Sequence, residues 1–182
     1  MRLVATEYLS LDGVFEEPGH WSGPYFNEQA GQFKYRELQA SDALLLGRRT
    51  YEGFASAWPK MEGTGDFGER MNSMPKYVVS TTLDRVDWTG SQLLKGDAVE
   101  EVRKLKEQPG KDLLLAGSAQ LFNALMAANV IDLYRFMLHP LVLGDGKRLF
   151  TGGVNRPALR LVHTETFTSG IVILEYEPPA QG

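Results

Sequence analysis

Short apolar runs alternate along this chain with longer stretches of mixed character. "RLVATEYLS" (2–10), "DALLLG" (42–47), "KYVVSTT" (76–82) and "KDLLLAG" (111–117) have strand length and strand composition. "SQLLKG" (91–96) is a weaker example, and "DLYRFMLHPLVL" (132–143) predicts a long strand. Between them the period changes. In "NEQAGQFKYRELQAS" (27–41), Phe33, Leu38 and Ala40 fall at helical spacing among charged residues. "RTYEGFASAW" (49–58) predicts a helix, as does "DFGERMNSM" (66–74), which Pro75 ends. "DAVEEVRKLKEQ" (97–108) has Asp97 as an N-cap and Gly110 beyond its end, and "AQLFNALMAANV" (119–130) predicts another helix. "ALRLVHTETF" and "IVILEYEP", separated by "TSG", predict a terminal hairpin.

Strands that alternate with helices imply βαβ units, hence an α/β fold with a mostly parallel central sheet and helices on both faces. The hairpin makes one edge of that sheet mixed. The pattern predicts one domain over 1–177, with 178–182 as a loose tail. In open α/β sheets ligands sit at the carboxyl ends of the strands. Three predicted strand ends therefore matter most: Gly47, Ser80 and Gly117.

Composition narrows the function. Hydrophobic residues make up 43% and charged residues 23% of 182, ordinary values for a globular protein. The net charge is −4, which argues against nucleic acid as a partner. A local basic pocket for a small anion remains compatible with it. No apolar run approaches a membrane span, and "MRLVATEYLSLDG" lacks the apolar core of a signal peptide. The chain has no cysteine, which excludes disulfides, thiolate chemistry and cysteine metal sites and fits a cytoplasmic protein. His20, His139 and His163 have no metal-ligand spacing, so no metal is expected.

Each strand end offers chemistry. In "LLLGRRTYEG" (44–53), Gly47 ends the strand and Thr50 stands where a helix begins. First-turn amides suit a phosphate, and Arg48 and Arg49 add charge. Two solvated arginines beside a capped helix fit the same residues. In "YVVSTTLDR" (77–85), Ser80, Thr81 and Thr82 precede Arg85, a set suited to a 2′-phosphate or to an ordinary polar turn. In "LLLAGSAQLF" (113–122), Gly117 and Ala119 let a diphosphate approach the backbone. The G-x-G-x-x-G fingerprint is absent, which disfavours a standard dinucleotide-binding domain.

Order and spacing say more than any one motif. "SLDGVF" (10–15), "LLLGRRTYE" (44–52), "VVSTT" (78–82), "LLLAGSAQLF" and "HPLVLGDGKRLF" (139–150) together resemble the dihydrofolate reductase-like fold. Within it, the chain is most similar to the C-terminal reductase domain of the bifunctional riboflavin-biosynthesis deaminase-reductase and its stand-alone bacterial relatives. That resemblance implies NADP(H) as cofactor and hydride transfer to a small heterocycle, as in the reduction of 5-amino-6-(5-phosphoribosylamino)uracil. It also implies a homodimer. By the same resemblance, Gly47, Arg48, Arg49 and Thr50 serve the cofactor phosphates, and Ser80 and Thr81 the adenosine end. Gly117, Ser118 and Ala119 serve the diphosphate and nicotinamide side, with Gln120 and Leu121 opening the helix behind them.

The substrate side matches less well. Dihydrofolate reductases carry an acid early in the first helix, where this chain has Gln29, with Glu28 one residue off. Trp21, Tyr25 and Phe26, beside His20, are suited to stacking on a flat ring. Asp12 and Glu28 are the candidate proton-handling residues; a turn aspartate and a solvated helix face are the plainer readings of the two. Dihydrofolate reductase and a non-catalytic ligand-binding module on the same fold are the alternatives.

Overall fold

The computed structural model describes residues 1–150 and 158–179. Residues 180–182 of the expected tail lie outside the described residues. Eight strands form one sheet: β1 (Arg2–Leu9), β2 (Ser41–Gly47), β3 (Lys76–Val79), β4 (Ser91–Leu94), β5 (Asp112–Ala116), β6 (Leu133–Leu138), β7 (Arg160–Thr166) and β8 (Val172–Glu177). Their order across the sheet is β4-β3-β2-β5-β1-β6-β8-β7. The first six lie parallel, and β8 and β7 add an antiparallel hairpin at one edge.

Five helices connect the strands: α1 (Glu28–Gln39), α2 (Arg48–Ala57), α3 (Gly65–Ser73), α4 (Ala98–Glu107) and α5 (Ala119–Ala127). Alternation along the strands assigns them to faces. Leu3, Ala5, Leu45, Leu113 and Leu115 pack with Val102 and Leu105 of α4 and with Leu121, Phe122 and Leu125 of α5. Val4, Leu44, Leu46, Val78 and Leu114 pack with Leu38 of α1, Tyr51 of α2 and Met71 of α3. Strands β2 and β5 are therefore apolar on both faces, which is why they read as continuous runs.

Local signals set the helix ends. Asp97 accepts from the amides of Val99 and Glu100 at 3.0 Å, as an N-cap should. Helix α5 stops short of the expected 130. Asn129 takes φ +52°, and the Val130 amide bonds back to the Leu125 carbonyl, a Schellman closure. The expected long strand at 132–143 is also shorter. His139 still donates its amide to Leu9 O at 2.7 Å, but Pro140 has no N–H and ends the ladder.

Candidate active site

The order β2-β5-β1 sets the carboxyl ends of β2 and β5 side by side. The Ser118 hydroxyl joins them. It accepts from the Gly47 amide at 2.9 Å and pairs with Thr50 Oγ1 at 2.8 Å. Ser118 is also the residue before α5, at φ +63°, with Gly117 at φ +60°. Two successive left-handed residues turn the chain sharply, a conformation costing roughly 1–2 kcal/mol at the non-glycine position. The side chain reaches across to β2 instead of capping its own helix. Helix α2 likewise starts from Gly47 without a side-chain cap. Two helix N-termini thus open at neighbouring strand ends, and neither has a side-chain cap on its first-turn amides among the described residues.

Glycine is required here on steric grounds. A Cβ on Gly47 would stand 2.6 Å from Ser118 Oγ, and one on Gly117 2.8 Å from Thr50 Oγ1. The step is a bare backbone cradle, suited to an anion approaching along the helix dipoles. Arg48 pairs with Glu52 one turn on, at 3.3 Å. Arg49 is exposed and makes no ion pair among the described residues. Ala119 and Gln120 open α5, and Leu121 faces the core. Residues present at these two strand ends fit a dinucleotide diphosphate.

The β3 end is different. Ser80 is buried, and its hydroxyl accepts from the amides of Thr82 and Leu83 at 3.2 and 3.0 Å. It closes its own turn and also lies 3.3 Å from Thr82 Oγ1, which leaves the exposed Thr81 as the outward hydroxyl there. An open groove of about 720 Å³ between α2 and Asp87–Thr89 touches none of these cradle residues.

Asp12 is committed to the loop after β6. Its carboxylate accepts from Ser10 Oγ at 2.7 Å and from the amides of Leu143 and Gly144 at 3.1 and 2.9 Å, with the Arg148 guanidinium at 3.5 Å. These donors, the Ser10 hydroxyl first, hold it down at about 2. It therefore stays ionised through the neutral range and has no proton to donate there. Asp12→Ala is expected to accelerate amide exchange at Leu143 and Gly144 while leaving β1 protected. In the wild type the same acceleration appears only as pH falls toward about 2, because a carboxylate held low loses its contribution only on protonation.

Two of the three expected aromatic residues do gather. Trp21 and Tyr25 both meet the His139 ring edge-on, at 5.1 and 6.2 Å, and Tyr8 lies on it at 5.2 Å. Phe26 is apart from them, over Gly31. His139 is fully buried, with Nδ1 2.9 Å from Met137 O and Nε2 without a partner among the described residues. Burial pushes its pKa down, so the ring is neutral. The sequence showed His139 only as a residue before proline.

Beneath this wall lies an ionic network. Lys34 stands over the Tyr8 ring, donates to Thr6 Oγ1 at 3.2 Å and pairs with Glu37. Arg135 donates to Glu37 at 3.0 Å and to Glu175 at 2.5 Å. Burial pushes the Glu37 carboxyl up, but Lys34 and Arg135 outweigh it and hold it low. Helical spacing marks residue 37 only as the neighbour of Leu38, so the sequence signal for it was slight. Glu28, by contrast, is exposed and accepts from Gln32 at 3.0 Å. Gln29 accepts from the Thr168 amide and hydroxyl, both at 2.8 Å, which ties α1 to the β7–β8 turn. Among the described residues no cluster of three or more His, Asp or Glu is arranged to hold a metal ion, and no helix is long and apolar enough to cross a membrane.

Residues 2–173 match the model of the RibD C-terminal domain. A curated relative, the uncharacterized protein YyaP of Bacillus subtilis (strain 168), is 35% identical over 179 residues, covering 96% of this chain and 94% of YyaP. A crystal structure of a putative riboflavin biosynthesis protein from Shewanella sp. PV-4 superposes with a TM-score of 0.79 at 19% identity, over 98% of this chain and 99% of that one. Dihydrofolate reductase from Enterococcus faecalis, in complex with NADP(H) and RAB-propyl, does so with a TM-score of 0.66 at 16% identity, over 98% and 96%. The fold expected from the motif order, dihydrofolate reductase-like with a C-terminal hairpin, is the one observed.

Proposed function

The chain belongs to the RibD C-terminal domain family, and from that membership we propose that it is an NADPH-dependent reductase of a small pyrimidine- or pterin-like ring. The observation that carries this reading is the Ser118 junction. It locks two uncapped helix N-termini together around Gly47 and Gly117, where nothing larger than backbone can stand. When bound, NADPH would supply the hydride; the protein would bind, orient and exclude water.

Gly47, Thr50, Gly117, Ser118 and Ala119 would hold the diphosphate by backbone amides and short hydroxyls, with Gln120 and Leu121 carrying the start of α5 behind them. Arg49, which makes no ion pair among the described residues, would meet a phosphate, with Arg48 and Thr81 toward the adenosine end. Trp21, Tyr25, Tyr8 and His139 would wall the ring site, and the buried Lys34–Glu37–Arg135 network would keep that wall rigid. Asp12 would act by positioning the 143–148 loop. Glu28 has no role in this reading. We place the protein in the cytoplasm, as a homodimer that takes a small-molecule substrate.

The test is calorimetric titration of NADPH and NADH into wild type and Arg49→Ala. We expect NADPH to bind more tightly than NADH and the substitution to weaken NADPH about tenfold, or ~1.4 kcal/mol. Absence of binding by either cofactor would overturn the reductase reading in favour of a ligand-binding module. Gln29, bound to Thr168, cannot offer a carboxylate to a pterin, so turnover of dihydrofolate is not expected. Methotrexate-sensitive reduction of it would reverse that conclusion.

A further inference from the structure

Glu7 lies in the centre of the sheet and takes no part in the interactions above. Its strand, β1, has β5 on one side and β6 on the other. The register pairs Thr6 with Ala116, so Glu7 lies level with Gly117. Side chains alternate along the strand: Ala5 and Leu9 face the α5 side, while Thr6 meets Lys34 from α1. Glu7 therefore points to the α5 side, beside the Gly117 amide. It is 3% exposed, and its Oε1 has no hydrogen-bond partner among the described residues.

A carboxylate in this place would be an unpaired buried charge, which proteins avoid by holding the proton. The surroundings agree. Its register partner on β6 is Phe136, and Leu121 and Phe122 of α5 belong with Phe136 to the apolar cluster on this side of the sheet. The charged groups that act on Glu7 are Lys34 and Glu37, both on α1, with opposite effects. Burial dominates and pushes the Glu7 carboxyl up to about 8. A carboxylic acid presents one donor and one acceptor side by side. That is the complement of a primary amide, which presents one acceptor and one donor.

We propose that Glu7, in its protonated form, is the residue that recognises the carboxamide of the nicotinamide ring, so that only the neutral acid supports tight binding of that half of the cofactor. This deepens the cofactor reading above and rests on it. The Gly117–Ser118 step fixes where the diphosphate side lies, and Glu7 Oε1, without a partner among the described residues, lies beside that step on the β1 side, where the Gly117 amide also acts on the carboxyl. An ionised Glu7 would offer acceptors only, leaving the amide N–H₂ served and its carbonyl opposed.

The test compares NADPH with 2′,5′-ADP, which has the phosphates and adenosine but no nicotinamide. Both are titrated into wild type and Glu7→Gln from about pH 7 to about pH 9.5. The glutamine keeps a donor and an acceptor and cannot ionise. We expect wild-type affinity for NADPH to fall about tenfold per pH unit above pH ~8. Affinity for 2′,5′-ADP should stay level, and Glu7→Gln should bind NADPH with no such fall. A measurement on the wild type alone stands beside it: near pH 9 the NADPH binding enthalpy should vary with the ionisation heat of the buffer, reporting uptake of about one proton. Level NADPH affinity in the wild type, or the same fall in Glu7→Gln, would overturn the proposal while leaving the cofactor site intact. If neither ligand binds at neutral pH, the cofactor reading itself fails and the proposal with it.

Discussion

Arg135→Ala is expected to destabilise the protein by about 3–5 kcal/mol, the usual range for breaking a buried ion pair by removing one partner. At roughly 2–4 °C per kcal/mol for a chain of this size, the melting temperature should drop by about 6–20 °C. The reason is what the substitution leaves behind. Arg135 joins Glu37 of α1 to Glu175 of β8 and is itself largely buried. Without it, Glu37 keeps Lys34 and the Thr6 hydroxyl in a site where burial pushes the carboxyl up. The effect should depend on pH with a definite sign. In the wild type, Glu37 is held low, so its contribution is present at neutral pH and lost only as pH falls through that lowered value. In the variant it protonates more readily, and the deficit should shrink between pH 7 and pH ~5. Arg135→Met combined with Glu37→Leu removes both of these charges and fills the space, but it leaves Lys34 and Glu175 without those partners, so it should recover only part of the loss. Denaturant unfolding at two pH values measures all of this. A deficit below ~1 kcal/mol for Arg135→Ala would show that water reaches the network and the charges are not buried.

Gly117→Val should have the larger effect on ligand binding. Residue 117 sits at φ +60°, where a β-branched side chain is strained, and its Cβ would stand 2.8 Å from Thr50 Oγ1. That oxygen cannot simply turn away, because it is paired with Ser118 Oγ, which also receives the Gly47 amide. The substitution therefore pushes the ends of β2 and β5 apart. We expect a stability loss of about 2–3 kcal/mol and a loss of NADPH affinity of about 100-fold or more, equivalent to ~2.7 kcal/mol. Thr50→Val is the control. It removes a single hydrogen bond, costing about 1 kcal/mol, without adding bulk to the cradle. A folded Gly117→Val that binds NADPH like the wild type would take away the structural basis of the proposed cofactor site.

Most of the fold was legible because its signals are local. An apolar run bounded by small or polar residues specifies a strand wherever it lies in the sheet, and Asp97 caps α4 through amides two and three residues away. The "TSG" turn sits between two strands that pair with each other. The element ends that were misjudged, at Asn129 and Pro140, depend on one left-handed residue and one missing N–H, and neither alters the hydrophobic pattern around it. The strand-end residues of the cleft were legible for the same reason: a small residue between a strand and a helix is a local signature.

The partners of those residues were not legible. Ser118 meets Gly47 across 71 positions of chain, and nothing in either segment says that β5 inserts between β2 and β1. Ser80 shows the opposite case: its hydroxyl is turned inward to its own loop, where it takes the amides two and three residues on. The charged residues were the hardest to place. Glu37, Arg135 and Glu175 come from α1, β6 and β8, and in the sequence each is one more charge on a half-polar element. Glu7 interrupts an apolar strand in a way that reads as a solvent-facing alternation. By itself the sequence determined which segments are strands and helices, and where the chain turns on small residues, because those depend on neighbours within a few positions. Only the tertiary structure decided which charges are buried and which hydroxyls meet. Desolvation and ion pairing depend on distances between segments that are remote in the chain, and those distances exist only once the sheet has assembled.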